Sequence, residues 1–457
     1  MLDLIIKNGN LVTKDITKKC DIGIIDGKIT QIGENLREDA KEVIDASGEY
    51  VIPGVIDPHV HIHHPFKGKY SADDFYTATR AAAFGGTTTF LDFAIQWDKE
   101  LSLKESLEKR ISQSEGEAII DFGFHVCPTK SEPEIIGELG HIIDMGAPSF
   151  KMYMTYSKQG RMSDDGMLLY GLDAVGKKGG ILGVHAENDS ISLFREKLSI
   201  ESGNLEATDF PIAKDNIVEA EAVNRVSYIN KYVNGNLYIF HLSTKEGLDI
   251  LAREKGTGNR ITAETCIHYL CLDDSYYGKE NGHRYICSPP LRSKEDQDAL
   301  WDGINKGLIT TISTDHCGFP TELKDSGNGK YNATPNGLPS IGMLLPLVYT
   351  HGVCRGRISI NKMVELISTN AAKTFGMYSQ KGDIQVGYDA DIVIFNPDRE
   401  IEMKADMMPT DVDWSPYEGM VLKAFPTYTI SRGQVIMEKG NVIGDRGRGK
   451  YLKRKII

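Results

Sequence analysis

The chain has 457 residues, 40% of them hydrophobic and 25% charged, a globular balance that excludes disorder over most of its length. Its 52 basic and 64 acidic residues leave a net charge of −12, which argues against nucleic-acid binding. No run approaches the ~18 apolar residues of a membrane span, so no membrane partner is expected.

Met1 to Val12 lacks the basic and long apolar segments of a signal peptide, and the seven cysteines form no CxxC pair. Reduced thiols and a cytoplasmic location are expected. At ~150 residues per domain the length suggests three domains, but an α/β barrel holds 200–250 residues or more in one core.

The first fifty residues read as short strands and turns. Leu4 to Ile6 precedes an expected turn at Asn8-Gly9-Asn10. Ile22 to Ile25 and Lys28 to Ile32 flank Asp26-Gly27, a two-residue hairpin signal. The last eighty residues have the same style. Ile392 to Phe395 is followed by strands punctuated at Arg432-Gly433 and Lys439-Gly440. Neither end has enough strands to bury a core alone. The economical solution is one composite β-sandwich domain, residues 1–52 plus 378–457.

Between them, residues 53–377 alternate apolar runs with helix-like stretches. Eight runs are found: Val55–His59, Thr87–Asp92, Ile119–His125, Ser149–Lys151, Ile181–His185, Leu237–His241, Ile261–Glu264 and Thr310–Asp315. Strands alternating with helices imply a parallel sheet, and eight units fit an α/β, TIM-like (β/α)8 barrel. An open doubly wound sheet lacks its GxGxxG signature here. A helix over Ser359 to Phe375, with Ser359 as N-cap and Gly376 at its end, closes the barrel.

In such a barrel the C-terminal strand ends form the active face. Here they carry His59, His61, Asp92, His125, Lys151, His185, His241, Glu264 and Asp315. His59 and His61 are two apart on a strand, so both rings point to one side and could grip one cation. His63 and His64 fall in the following loop. Singly, each histidine reads better as a satisfied core residue; their convergence on strands 1, 5 and 6, with a carboxylate on 8, favours a metal centre. Lys151 ends an apolar strand, where its ammonium either pairs with an acid or is neutral and carbamylated by CO2.

The segment Gly54-Val55-Ile56-Asp57-Pro58-His59-Val60-His61 resembles the amidohydrolase superfamily motif, and the chain is similar to the hydantoinase/dihydropyrimidinase family within it. The matching segments are SFKMYMTY at Lys151, VHAEN at His185, FHLST at His241, AETCIHYL at Glu264, YICSPPLR at Ser288, STDHCGF at Asp315 and TPNGLP at Asn336, with both chain ends besides. The resemblance implies a metal-dependent cyclic amidase that opens a hydantoin or dihydropyrimidine ring to an N-carbamoyl amino acid. It implies two divalent ions, usually zinc. His59, His61 and Asp315 would hold one, His185 and His241 the other, and carboxylated Lys151 and a hydroxide would bridge them.

Tyr156 matches the family's oxyanion-stabilising tyrosine, Asp315 its proton carrier, and Ser288 and Asn336 positions whose backbone holds the ring. A homotetramer is implied. Phe66, Tyr153 and Gly160 are expected to shape the pocket for the exocyclic substituent, and Gly160 stands where many relatives place a bulky side chain. Ser340 to Leu345 lacks the family's usual acidic-acidic-Arg cluster. The alternatives are an allantoinase, a mononuclear deaminase, a non-enzymatic scaffold of the same family, and a thiol mechanism at Cys287 or Cys317, for which nothing suggests a lowered thiol pKa.

Overall fold

The computed structural model describes residues 1–456. Eight parallel strands lie in barrel order: β1 (Val55–Asp57), β2 (Thr87–Ile95), β3 (Asp121–Cys127), β4 (Ser149–Tyr153), β5 (Ile181–His185), β6 (Leu237–Ile239), β7 (Ile261–Cys266) and β8 (Thr311–Ser313). Every residue of β2 and β3 is buried, as expected of parallel strands covered on both faces. The expected runs all lie on these strands or at their ends, and helices alternate with them along the chain.

Strands β1 and β8 do not form a full ladder. Their seam is joined just beyond the strands by a bridge between Val60 and His316. Asp57 ties it further, accepting from Thr314 N at 3.2 Å and Thr314 Oγ1 at 2.5 Å. The barrel is therefore nearly closed, and the seam brings the end of β1 beside the end of β8.

Both chain ends enter one nine-stranded sheet. Ile392–Phe395 pairs antiparallel with Tyr50–Pro53 and joins the two halves. The strand Leu2–Val12 pairs with Ala40–Asp45 through its first half and with Tyr50–Pro53 through its second. The two chain ends are thus united in one continuous, branched sheet. Its core gathers Leu4, Ile6, Ile24 and Ile44 from the first half with Ile394 and Ile430 from the second.

The three two-residue turns form as expected. Asp26-Gly27, Arg432-Gly433 and Lys439-Gly440 all have positive φ at both residues, which matches the twist of the strands they join. The turn expected at Asn8-Gly9-Asn10 does not form. Asn8, at φ 62°, is instead a bulge within the single strand Leu2–Val12. Its N–H donates to Asp21 Oδ1 at 2.8 Å, and Gly9 packs where a Cβ would lie 2.4 Å from Val51. Tertiary contacts hold the bulge where local signals read a reversal.

The closing helix runs from Ile360 to Thr374, with Ser359 Oγ accepting from Lys362 N at 3.1 Å. Its middle turn, Glu365–Thr369, widens to a π turn that the apolar spacing does not reveal. Gly376, at φ 77°, follows it. A Cβ there would meet the Lys455 backbone at 2.5 Å, because the C-terminal tail crosses at that point. The tail also bonds to β3 through Leu452 N and Phe122 O at 2.8 Å.

Candidate metal centre

The polar strand ends converge on one floor of the barrel mouth. His59 Nε2 lies 3.2 Å from His61 Nε2, 3.0 Å from Lys151 Nζ and 3.0 Å from Asp315 Oδ1. His61 Nε2 lies 3.4 Å from the same Asp315 oxygen. His185 and His241 pack edge-on with ring centroids 4.4 Å apart, and His241 stands 5.5 Å from His59 by the same measure. All six residues expected from the sequence are therefore neighbours. Asp315, His241 and Tyr156 have positive φ (47°, 40° and 71°), a costly backbone state for such residues that collects at functional sites.

Hydrogen bonds decide which histidine nitrogens are free. His59 Nδ1–H donates to Glu264 Oε1, which leaves Nε2 facing the cluster. His185 Nε2–H donates to Glu187 Oε2 at 2.7 Å, which leaves Nδ1. His241 Nε2 is buried without any hydrogen-bond partner among the described residues. Burial holds His61 and His241 well below the usual imidazole range and His185 down at about 4, so these rings are neutral lone-pair donors. Burial would raise Asp315, but His59 and His61 beside it hold its carboxyl well below the usual range.

Burial lowers the Lys151 pKa, and among the described residues no carboxylate lies within ion-pair distance of its amine. Neutral imidazoles, an ionised carboxylate and an orphaned nitrogen are costly to bury together unless they share a ligand. The oxygen and nitrogen donor set fits a divalent cation. His59, His61 and Asp315 present ligand atoms that all lie within 4.8 Å of one another.

Around this floor lies a cavity of about 490 Å³, to which Tyr156, Ser288 and Asn336 all contribute. Phe66 and Tyr153 line it too. Gly160 does not. It ends a short turn at φ 66°, and the next residue, Arg161, forms the wall instead. Burial pushes the Tyr156 phenol up, so it remains a hydrogen-bond donor. Burial pushes the Cys287 thiol up to about 12 and Cys317 upward as well, so neither supplies a thiolate nucleophile.

Several groups take supporting roles that their motifs do not reveal. Glu187 is fully buried and accepts from Lys214 Nζ at 2.9 Å and Ser288 Oγ at 2.9 Å, besides His185. In the sequence it is the glutamate of VHAEN, two residues after His185, with no role assigned to it. Glu264 accepts from Tyr238 OH at 3.0 Å while holding His59. Lys324 Nζ donates to Ile286 O and Pro335 O, each at 2.8 Å, and so ties together the two segments that carry Ser288 and Asn336. Two strand-end residues serve the frame. Asp92 pairs with Arg110, with Nε at 2.8 Å, and His125 Nε2–H donates to Pro58 O at 2.9 Å.

Comparison with known proteins agrees with this geometry. Residues 240–442 match the amidohydrolase family. A D-hydantoinase of Ralstonia pickettii is 42% identical over 458 residues, 99% of each chain. A solved D-hydantoinase structure superposes with a TM-score of 0.97 at 40% identity, covering 100% of this chain and 99% of that one. A dihydropyrimidinase structure from Brevibacillus agri superposes at 0.96 and 35% identity, with 98% of each chain covered. With this identity along essentially its whole length, the chain belongs to the hydantoinase/dihydropyrimidinase family of amidohydrolases.

Proposed function

We propose that this protein is a metal-dependent hydrolase that opens a cyclic ureide or imide ring, a hydantoin or a dihydropyrimidine, to an N-carbamoyl amino acid. The observation that carries the reading is the convergence of His59, His61, Lys151, His185, His241 and Asp315 on one cavity floor, with Tyr156 beside it. The relatives are named for these substrates, which does not favour allantoinase.

His59, His61 and Asp315 would hold one divalent ion, zinc by preference, and His185 and His241 a second, with carboxylated Lys151 between them. Bound there, such ions supply Lewis acidity and lower the pKa of water from 15.7 toward ~7. The lowered pKa of buried Lys151 favours the neutral amine, the form that attacks CO2 and loses a proton to become a carbamate. Asp315, ionised at neutral pH, accepts the proton of the attacking water and passes it to the leaving ring nitrogen. The Tyr156 O–H donates to the oxyanion that develops on the ring carbonyl. Backbone groups at Ser288 and Asn336 hold the ring, and Lys324 keeps their two segments in register. One water is consumed and one ring C–N bond breaks.

The division into residues 1–52 plus 378–457 and residues 53–377 is part of the same reading: the barrel carries the chemistry and the terminal sheet braces it. A homotetramer is proposed as well. Exposed Tyr170, Phe194, Ile212, Tyr228 and Tyr232, on neighbouring helical segments, offer an apolar surface for subunits to cover. No helix among the described residues is long and apolar enough to cross a membrane, and the seven cysteines are free, which supports the cytoplasmic reading.

The test is a panel of hydantoin, dihydrouracil, allantoin and phenylhydantoin with metal-replete protein. Ring opening of hydantoin or dihydrouracil is expected. Turnover of allantoin alone, or of none, overturns the proposal.

A further inference from the structure

The charges that line the cavity are unevenly matched. Lys158 pairs with Glu196 at 2.8 Å and Lys214 with Glu187 at 2.9 Å. Asp189 is engaged by Ser157, whose Oγ donates to it at 2.5 Å and whose backbone N donates at 3.2 Å. Two cations at the wall have no acidic partner among the described residues: Arg161 and Lys67. Lys67 sits at a hairpin tip with φ 47°, and among the described residues its amine makes one hydrogen bond, a long one of 3.4 Å to Ala333 O.

Arg161 is held by aromatic rings. Its guanidinium carbon lies 4.6 Å from the Tyr156 ring centroid, 5.3 Å from Trp97 and 5.5 Å from Tyr153. Its Nε is buried and unpartnered. Packing against ring faces orients a guanidinium while leaving its in-plane N–H donors unspent. A fork of free donors in a half-enclosed cavity is a receptor for a planar anion, which it meets through charge-assisted and often bidentate hydrogen bonds. Because Arg161 packs on Tyr156, this receptor lies close to where the reacting ring carbonyl is held.

Resting on the ring-opening function above, we propose that the preferred substrates are cyclic ureides whose exocyclic substituent ends in a carboxylate, with Arg161 receiving that group and Lys67 adding to the local positive potential. Trp97, Tyr153 and Phe66 then line the path of the substituent's apolar stem. Arg161 thus selects the substrate; it does not touch the reacting bond.

The experiment compares hydantoin-5-propionate with hydantoin-5-propionamide, which have nearly the same shape and differ in charge, on metal-replete protein. The carboxylate is expected to have the higher kcat/KM by about 10- to 100-fold, the range that charge-assisted hydrogen bonds supply. The gain should fall mainly in KM and shrink as salt is added. In Arg161→Gln the ratio between the two substrates should fall toward one, and Arg161→Lys should retain part of it. A wild-type ratio at or below one overturns the inference while leaving the ring-opening function intact, as does turnover of hydantoin but of neither substituted ring. Turnover of no cyclic ureide overturns both. If Arg161→Gln does not fold, the wild-type ratio and its salt dependence decide alone. A variant that lowers kcat equally for both substrates would show Arg161 to be only a brace for Tyr156, and that also overturns the assignment.

Discussion

Substituting Glu187 by Gln tests whether the carboxylate beneath the cavity sets the metal site. Glu187 is fully buried, and one oxygen serves His185 Nε2 at 2.7 Å, Lys214 Nζ at 2.9 Å and Ser288 Oγ at 2.9 Å. Glutamine keeps the shape and one acceptor but removes the charge, so Lys214 keeps its proton without a counter-ion. Breaking one side of a buried pair costs ~3–5 kcal/mol. Lys214 is 16% exposed, which places the expected loss toward the lower end, about 3 kcal/mol. His185 also loses the charged acceptor that fixes its tautomer, and such a loss typically weakens metal binding ~10–100-fold.

The assays are the guanidinium midpoint and the metal content per chain after dialysis against a weak chelator. The stability gap has a defined pH dependence. Lys214 and His185 outweigh burial and hold the Glu187 carboxyl below its ordinary value of 4.5. The stabilisation it confers is therefore full above that value and is lost as pH falls below it. A variant with wild-type metal retention, and a stability gap under about 1 kcal/mol at pH 7, would refute the reasoning, because exposed pairs alone are worth that much.

Three further outcomes are expected. Lys151→Ala should abolish ring opening and sharply reduce bound metal; a fully active variant removes the bridging role. Tyr156→Phe should lower kcat by ~10²–10³, the loss of one oxyanion donor, with little change in bound metal; unchanged kcat removes the donor. Lys324→Met should raise KM and lose stability in a pH-dependent way. Burial lowers the Lys324 pKa from 10.5 to about 7, so between those values the unfolded chain binds a proton that the folded chain does not. Wild-type stability from this group therefore rises with pH across that window, and the gap to the variant should be wider at pH 9.5 than at pH 7. Equal gaps at the two pH values would show that Lys324 titrates normally.

Much of the architecture follows from local patterns in the chain. Apolar runs alternating with helical stretches define the barrel strands, and Asp26-Gly27, Arg432-Gly433 and Lys439-Gly440 make their turns because dihedral preference acts within two residues. The candidate metal-ligating residues are legible as a group because a barrel places strand ends on one face, so that histidines distant in sequence share a location; the resemblance, not the geometry, divides them between two ions.

What only the tertiary structure decides are features that depend on partners far along the chain. Asn8 bulges instead of turning because Asp21 holds its N–H. The free nitrogen of His185 is chosen by Glu187, and that of His59 by Glu264, which lies 205 residues away. Gly160, expected from the sequence to help shape the pocket, does not line it, and its neighbour Arg161 does. Strand periodicity sets the direction of a side chain, but hydrogen-bond partners and unpaired charges are settled only when segments distant in sequence are packed together.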